Sequence, residues 1–169
     1  MKSVWLFFLI AITWVFIAGF HEPLYNVNSN ILDRTLDSFQ YGEIPAEYNQ
    51  EEASHLEDVK VLLQSLFIIM IISAVFVFSS SITSFVTRKA GIRLMIISGA
   101  FVIALIFFNS SFTMFHKIFF NGDTWLFPRG SLILKMFPLI YFKKALGLIV
   151  IGWFSSGIGL FILSKRLVN

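Results

Sequence analysis

Two histidines at the ends of different apolar segments are the residues best suited to carry chemistry in this sequence. His55 lies in Ser-His-Leu-Glu-Asp-Val-Lys, directly before an apolar run that opens at Val61. His116 lies in Phe-His-Lys-Ile-Phe-Phe, shortly after a run that closes near Phe108. Histidine is the side chain that changes charge near neutral pH without perturbation. Two imidazoles that meet at a lipid–water boundary could therefore carry acyl-group chemistry, provided that the fold brings them together.

The composition predicts an all-α integral membrane protein. Of the 169 residues, 57% are hydrophobic and 21 are phenylalanine, and the mean hydropathy is +0.80. A helix needs about 20 apolar residues to cross about 30 Å of hydrocarbon. The segments 4–20, 61–85, 94–108 and 145–163 are of this kind and lack strand-like alternation. We therefore expect a four-helix membrane bundle that forms a single domain over residues 1–169, and not a barrel.

The first apolar segment has an alternative interpretation as a cleaved signal peptide, because Lys2 precedes it. Its apolar region is longer than that of a usual signal peptide, and Ala18-Gly19-Phe20 fits a small-x-small cleavage site poorly. A retained helix is therefore the favoured prediction.

The distribution of charge predicts the topology. Three short segments are basic and contain no acidic residue: Lys2, the connection with Arg88, Lys89 and Arg93, and the tail Lys165-Arg166. Five other basic residues are spread over a longer stretch, so the density of basic charge favours the three short segments: Lys117, Arg129, Lys135, Lys143 and Lys144. Nine of the ten acidic residues fall between Glu22 and Asp58. Short basic connections stay cytoplasmic, so we expect both termini in the cytoplasm and the loops 21–60 and 109–142 outside the cell membrane. The net charge of +3 is then a topology signal and calls for no nucleic-acid partner.

The first outer loop has two predicted helical features. Ile31 to Phe39 carries apolar residues at helical spacing. Ser54 and Glu57 fit a capping box, which predicts that the second long helix begins near Ser54. Asp58 follows His55 by three residues and so shares its helical face, which makes it a candidate supporting carboxylate.

The second outer loop is aromatic. Its apolar residues Phe112, Phe115, Ile118 and Phe119 fit a short interfacial helix, although Asn121-Gly122 leaves a hairpin open. Trp125 suits the aromatic belt at a membrane surface. In the last span, three small residues form a stripe that would let another helix approach closely: Gly152, Ser156 and Gly159.

Several classes of site have no signature here. The sequence contains no phosphate-binding loop, zinc-protease motif or Gly-x-Ser-x-Gly elbow, and it contains no cysteine. The three histidines His21, His55 and His116 lack the local spacing of a zinc site, so we predict neither a metal nor a cofactor. From spacing alone, they could also be ordinary polar residues at helix ends.

Three blocks of sequence resemble one integral-membrane family. They are Glu22-Pro23-Leu24-Tyr25-Asn26, His55-Leu56-Glu57-Asp58-Val59-Lys60, and Phe115-His116-Lys117-Ile118-Phe119-Phe120-Asn121-Gly122-Asp123-Thr124-Trp125-Leu126-Phe127-Pro128. The family includes the bacterial lipoprotein intramolecular transacylases, and the similarity covers most of the chain in order.

The resemblance implies an acyltransferase that acts on a diacylglyceryl-modified lipoprotein. Such an enzyme moves one acyl chain from the glyceryl group to the α-amine of the N-terminal cysteine, either directly or through an acyl-histidine intermediate. The catalytic histidines of the family would correspond to His55 and His116, with Asp58 and Trp125 as supporting residues. The partners would be the lipoprotein and membrane lipid. A different class of function, a non-catalytic membrane scaffold that binds a partner through the acidic loop, would not require the two histidines to meet.

Overall fold

The structure, a computed structural model, describes residues 1–21, 30–79, 83–120 and 122–167, except for the side chain of Ser84. Within these ranges the chain forms helices and no strand. The helices are α1 (Lys2–Gly19), α2 (Asn30–Gln40), α3 (Gln50–Phe78), α4 (Ser84–Ile106), α5 (Phe108–Phe119), α6 (Leu132–Met136) and α7 (Leu139–Arg166). The block Glu22–Asn26 and the residue Asn121 lie outside the described residues.

Four of the helices are long and apolar enough to cross a membrane: α1, α3, α4 and α7. Each leaves large apolar side chains exposed, such as Phe8, Ile72, Ile103 and Ile162. In a membrane protein such side chains face lipid, because every spanning helix satisfies its own backbone hydrogen bonds. The predicted fold class, an all-α bundle with four membrane-spanning helices, is confirmed.

Successive long helices run in opposite directions through the bundle. At one end, Leu6 of α1 packs with Val77 near the end of α3 and Ala90 near the start of α4. At the opposite end, Ala18 of α1 shares a buried cluster with Leu56 of α3 and Tyr141 of α7. The start of α1 and the end of α7 therefore lie at the first end, whereas α2, α6 and the starts of α3 and α7 meet at the second.

Close contacts between helices hold the bundle together. The Trp14 ring covers Gly152, where a Cβ atom would lie 2.2 Å from Trp14 Cδ2, and Trp14 Nε1 donates a 2.9 Å hydrogen bond to Ser156 Oγ. Packing and polar contacts of this kind drive helix association in lipid, where hydrophobic burial contributes little. The predicted small-residue stripe is therefore right for Gly152 and Ser156. It is wrong for Gly159, which has nothing within 4 Å of its Cβ position, while Gly157 contacts α4 at Gly91.

The long helices begin before their apolar segments, but the predicted end of the second span at Phe85 is wrong, because α3 ends at Phe78 and Phe85 lies in α4. α3 begins at Gln50 and not at Val61, so its 29 residues measure about 43 Å and exceed the hydrocarbon thickness. α4 begins ten residues before the predicted Leu94, because Thr83 caps it through a hydrogen bond from the Val86 N–H. The sequence predicted that Arg93 and its basic neighbours lie in a connection between two helices. They lie instead in the first turns of α4. Hydropathy marks only the lipid-facing part of a helix, whereas caps set its ends.

The two short helices predicted in the loops are present. α2 covers the predicted segment 31–39, and its buried residues Leu32 and Phe39 pack into the cluster beside the start of α3. α5 confirms the helical reading of residues 112–119 and buries His116 while leaving Ile118 exposed. These elements, together with α6, build the end of the bundle that contains both histidines.

Candidate active site

The first histidine is positioned by the capped start of α3. The Asn49 side chain accepts a hydrogen bond from the Glu52 N–H at 2.9 Å, and Glu52 Oε2 accepts one from the Asn49 N–H at 3.0 Å. This reciprocal capping box fixes the first turn, and it places His55 in the second turn. The predicted capping box at Ser54 and Glu57 is therefore wrong, because Ser54 lies inside the helix.

The second histidine is held by its own helix. Nδ1 of His116 lies 2.8 Å from the carbonyl oxygen of Phe112, one turn earlier in α5. Because a carbonyl can only accept, Nδ1 carries the proton and donates it. In the neutral ring, Nε2 is then the nitrogen with a free lone pair, so His116 presents a proton acceptor.

The fold brings the two histidines together. Their ring centroids lie 6.0 Å apart, and the ring planes are inclined by 26°. His55 is 6% exposed and His116 is 7% exposed. Nδ1 of His55 is buried and has no hydrogen-bond partner within the described part of the chain. An unsatisfied buried nitrogen beside a second imidazole is costly in a purely structural role and is typical of a functional site.

Aromatic rings enclose the pair. The Phe120 ring contacts both imidazoles, with centroid distances of 4.7 Å to His55 and 5.3 Å to His116. Phe127 lies 5.5 Å from His55, and Trp125 lies 4.9 Å from His116. These rings exclude water from the histidines, which strengthens any electrostatic interaction made there.

The enclosed environment favours uncharged rings. Burial lowers the pKa of His116 below its usual value of 6.5, and the hydrogen bond to the Phe112 carbonyl partly opposes that shift. Two imidazolium ions so close together would also repel each other. At neutral pH, His116 is therefore a neutral base, as proton abstraction requires.

Comparison with protein families identifies the chain. The family model described as lipoprotein intramolecular transacylase Lit matches residues 33–142, well over half of the chain, and the match includes both histidines. The chain belongs to the Lit family. A search of curated proteins finds no match for it.

Solved structures of a Lit protein share the fold. The in meso structure of the membrane integral lipoprotein intramolecular transacylase Lit from Bacillus cereus is 20% identical, with a TM-score of 0.84. That alignment covers 99% of this chain and 92% of the Bacillus cereus chain. A form of that protein with one histidine replaced by arginine aligns with a TM-score of 0.68, at 19% identity, over 99% and 87% of the two chains. The similarity establishes that this Lit-family chain is a multi-pass membrane protein with the Lit fold.

The other residues predicted for the site of this Lit-family chain have different surroundings. Trp125 contacts His116, as described above, and its Nε1 donates a 3.2 Å hydrogen bond to the Gly122 carbonyl. Asp58 is exposed and makes no hydrogen bond with either histidine among the described residues. His21 is exposed, and no ring contact joins it to the pair in the same ranges. The functional roles of these residues remain predictions.

Two residues of the site were missed from the sequence. Glu52 is 2% exposed, and its Oε1 accepts a 3.1 Å hydrogen bond from the backbone N–H of Ile133 in α6. The spacing of Asn49 and Glu52 was a usable capping signal, but Ser54 and Glu57 lie nearer the apolar run and compete with it. Phe120 carried no local signal, since a phenylalanine in an aromatic loop shows nothing about which rings it will contact.

In the part of the chain that the structure describes, no three His, Cys, Asp or Glu side chains are grouped as metal ligands. The two imidazoles of the candidate site can transfer protons, donate hydrogen bonds or act as nucleophiles.

Proposed function

We propose that this Lit-family chain transfers an acyl chain within a diacylglyceryl-modified lipoprotein. The acyl chain leaves an ester of the glyceryl group and joins the α-amine of the N-terminal cysteine, which yields a lyso-form lipoprotein. The observation that carries the proposal is the pair of buried imidazoles whose centroids lie 6.0 Å apart in a chain of this family. Two groups at this spacing can act on one ester and one amine at the same time.

In this reaction the two histidines have different tasks. His116 Nε2 takes a proton from the amine as its nitrogen attacks the ester carbonyl, because Nδ1 is engaged by Phe112. His55 donates a hydrogen bond to the ester oxygen on which negative charge develops. When the C–O bond breaks, His116 returns the proton to the glyceryl oxygen. One C–N bond replaces one C–O bond, so neither water nor a cofactor is consumed.

The proposed location of the site is the outer surface of the cell membrane. Lys2, Lys165 and the basic start of α4 lie at the end of the bundle away from His55. Basic residues mark the cytoplasmic ends of spanning helices, so both termini would be cytoplasmic and the histidines would face outward. A lipoprotein held in the outer leaflet would then present its glyceryl esters at the level of the site.

The test is the structure of a lipoprotein N-terminus made in cells with and without this chain. Intramolecular transfer does not change the total mass, so intact mass is uninformative and tandem mass spectrometry must locate each acyl group. We expect a fragment with an N-acylated cysteine and one remaining O-acyl chain only when the chain is expressed. A His116→Ala variant, expressed to the same level, is the matched control and should give the O-diacyl form. If the N-acyl fragment is absent with the intact chain, the proposed function is wrong.

A further inference from the structure

A groove adjoins the histidine pair and runs along α3 toward the middle of the bundle. Its volume is about 270 Å³. Six residues line it: Asp58, Val61, Leu62, Ser65, Phe119 and Phe120. Phe120 also packs against both imidazoles, so the groove and the histidine pair share a wall. The groove therefore lies next to the candidate active site.

The α3 wall of the groove is a single helical stripe. Asp58, Val61, Leu62 and Ser65 have the spacing i, i+3, i+4 and i+7, and His55 lies one turn before Asp58 on the same side. From Asp58 to Ser65 the stripe advances by about 10 Å. A molecule in the groove would therefore have one end near His55 and the other end within the apolar part of the helix.

The two ends of the groove differ in chemistry. At the end near His55 stands the exposed Asp58, whose carboxylate pairs with no cation among the described residues. Lys60, the basic residue nearest in sequence, contacts Glu57 and the Gly42 carbonyl instead. Farther along, the wall is apolar, and the Ser65 hydroxyl is turned back onto the Val61 carbonyl at 2.8 Å. The groove thus has a negative mouth and an apolar body.

We propose that this groove binds the lipidated end of the lipoprotein, with the α-ammonium group at Asp58 and an acyl chain along Val61 and Leu62. The inference rests on the proposed function and adds the residues that recognise the substrate. The N-terminus of a diacylglyceryl lipoprotein carries one cation beside long apolar chains, and the groove has the complementary features in the same order. Asp58 would hold the ammonium group beside His116. The ammonium group first releases one proton to solvent, and His116 takes the second proton as the C–N bond forms. Phosphatidylcholine also has two acyl chains, but it lacks the primary amine that Asp58 would recognise.

Binding of a probe that cannot react tests the proposal. The probe is a lipopeptide whose cysteine carries a dialkylglyceryl ether, which has no ester to transfer, and it is prepared with a free or an N-acetylated amine. Its affinity is measured for the full chain in phosphatidylcholine nanodiscs. The intact chain should bind the free amine about tenfold more tightly than the acetylated form, as expected for one charge-assisted pair.

Four variants separate the two ends of the groove. Asp58→Asn should remove the preference for the free amine, whereas Asp123→Asn, a change at an exposed carboxylate that does not line the groove, should keep it. Val61→Trp should weaken the binding of both forms of the probe, because the indole ring fills the groove. Ile71→Trp, at a lipid-exposed residue of α3 that does not line the groove, should weaken neither.

The outcomes distinguish this proposal from the proposed function. An unchanged amine preference in Asp58→Asn, or unchanged affinity in Val61→Trp, overturns the proposal that the groove binds the substrate. This holds even if the chain transfers acyl groups from an ester substrate. If the variants bind the probe as expected but no acyl group is transferred from the ester substrate, the binding role of the groove is supported and the transacylase activity is overturned.

Discussion

Glu52, in the first turn of α3, accepts a hydrogen bond from the backbone N–H of Ile133, which lies 81 residues later at the start of α6. The same carboxylate closes the capping box with Asn49 through its other oxygen. One buried side chain therefore fixes both the first turn of the helix that carries His55 and the segment that leads into α7. The stability of this end of the bundle should depend on it.

Replacing Glu52 tests that dependence. Glu52→Gln has only one acceptor oxygen and must leave either the Asn49 or the Ile133 N–H unpaired, at a cost of about 1–3 kcal/mol. We expect a lower free energy of unfolding in detergent and faster hydrogen exchange in residues 50–55. Ser54→Ala, at an exposed helix position, is the control and should change neither quantity. Equal losses in the two variants would show that the cap is not at Asn49.

Removal of either histidine should abolish transfer. His55→Ala and His116→Ala should each lower the rate by about 10²–10⁴-fold, the usual contribution of an oxyanion-stabilising donor or of a general base. The double variant should lose little more, because members of one catalytic unit are not additive. The rate is measured on a diacylglyceryl lipopeptide, with insertion into membranes checked for each variant. His21→Ala should retain activity, and full activity in either active-site variant would exclude the catalytic role.

The burial of His116 should make stability depend on pH. The pKa of His116 is 6.5 in the unfolded chain and lies below 6.5 in the folded chain. At a pH between the two pKa values, the unfolded chain therefore binds more protons than the folded chain. The part of the folding stability that depends on neutral His116 is present above pH 6.5 and is lost as the pH falls toward the pKa of His116 in the folded chain. Between pH 7.5 and pH 5.5, the melting temperature should therefore drop further for the intact chain than for His116→Gln. An equal drop in the two proteins would contradict a depressed pKa.

The contact of Gly152 with Trp14 predicts a sharp difference between two glycines of α7. Gly152→Ala places a methyl group where a Cβ atom lies 2.2 Å from the Trp14 ring, so α1 must shift, at a cost of about 1–3 kcal/mol. Gly159→Ala meets no atom within 4 Å and should be neutral or stabilising by up to about 1 kcal/mol through helix propensity. Thermal unfolding of both variants in the same detergent measures the difference. Similar effects in the two would refute the close approach of α1 and α7.

The proposed orientation can be tested with single cysteines, because the chain has none of its own. Tyr41→Cys lies beside the histidine end, and Lys89→Cys lies at the end that contains the start of α1 and the end of α7; both positions are exposed. An impermeant thiol reagent added to intact cells should label the first and not the second. Labelling of Lys89→Cys alone would invert the topology, and labelling of both would contradict the four-span arrangement.

The sequence alone was sufficient to predict the four spans and the end of the bundle that is basic and contains no acidic residue. A spanning helix satisfies its backbone internally, so about 20 apolar residues in a row specify it without reference to the rest of the chain. The blocks around His55 and His116 also carried the resemblance to the Lit family. Each of these signals lies within a short stretch of residues, so it can be recognised in a single sequence. The ends of the helices were less well predicted, because Asn49 and Ser54 offer competing caps.

Only the tertiary structure decided how the site is assembled. The 6.0 Å separation of His55 from His116 depends on α5 folding back against the start of α3, and no local pattern encodes it. The hydrogen bond from Ile133 to Glu52 and the contacts of Phe120 with both imidazoles likewise join residues far apart in sequence. Such contacts arise from the packing of whole helices, in which many weak interactions together choose one arrangement. The sequence therefore determined which residues could react, and packing determined that they meet.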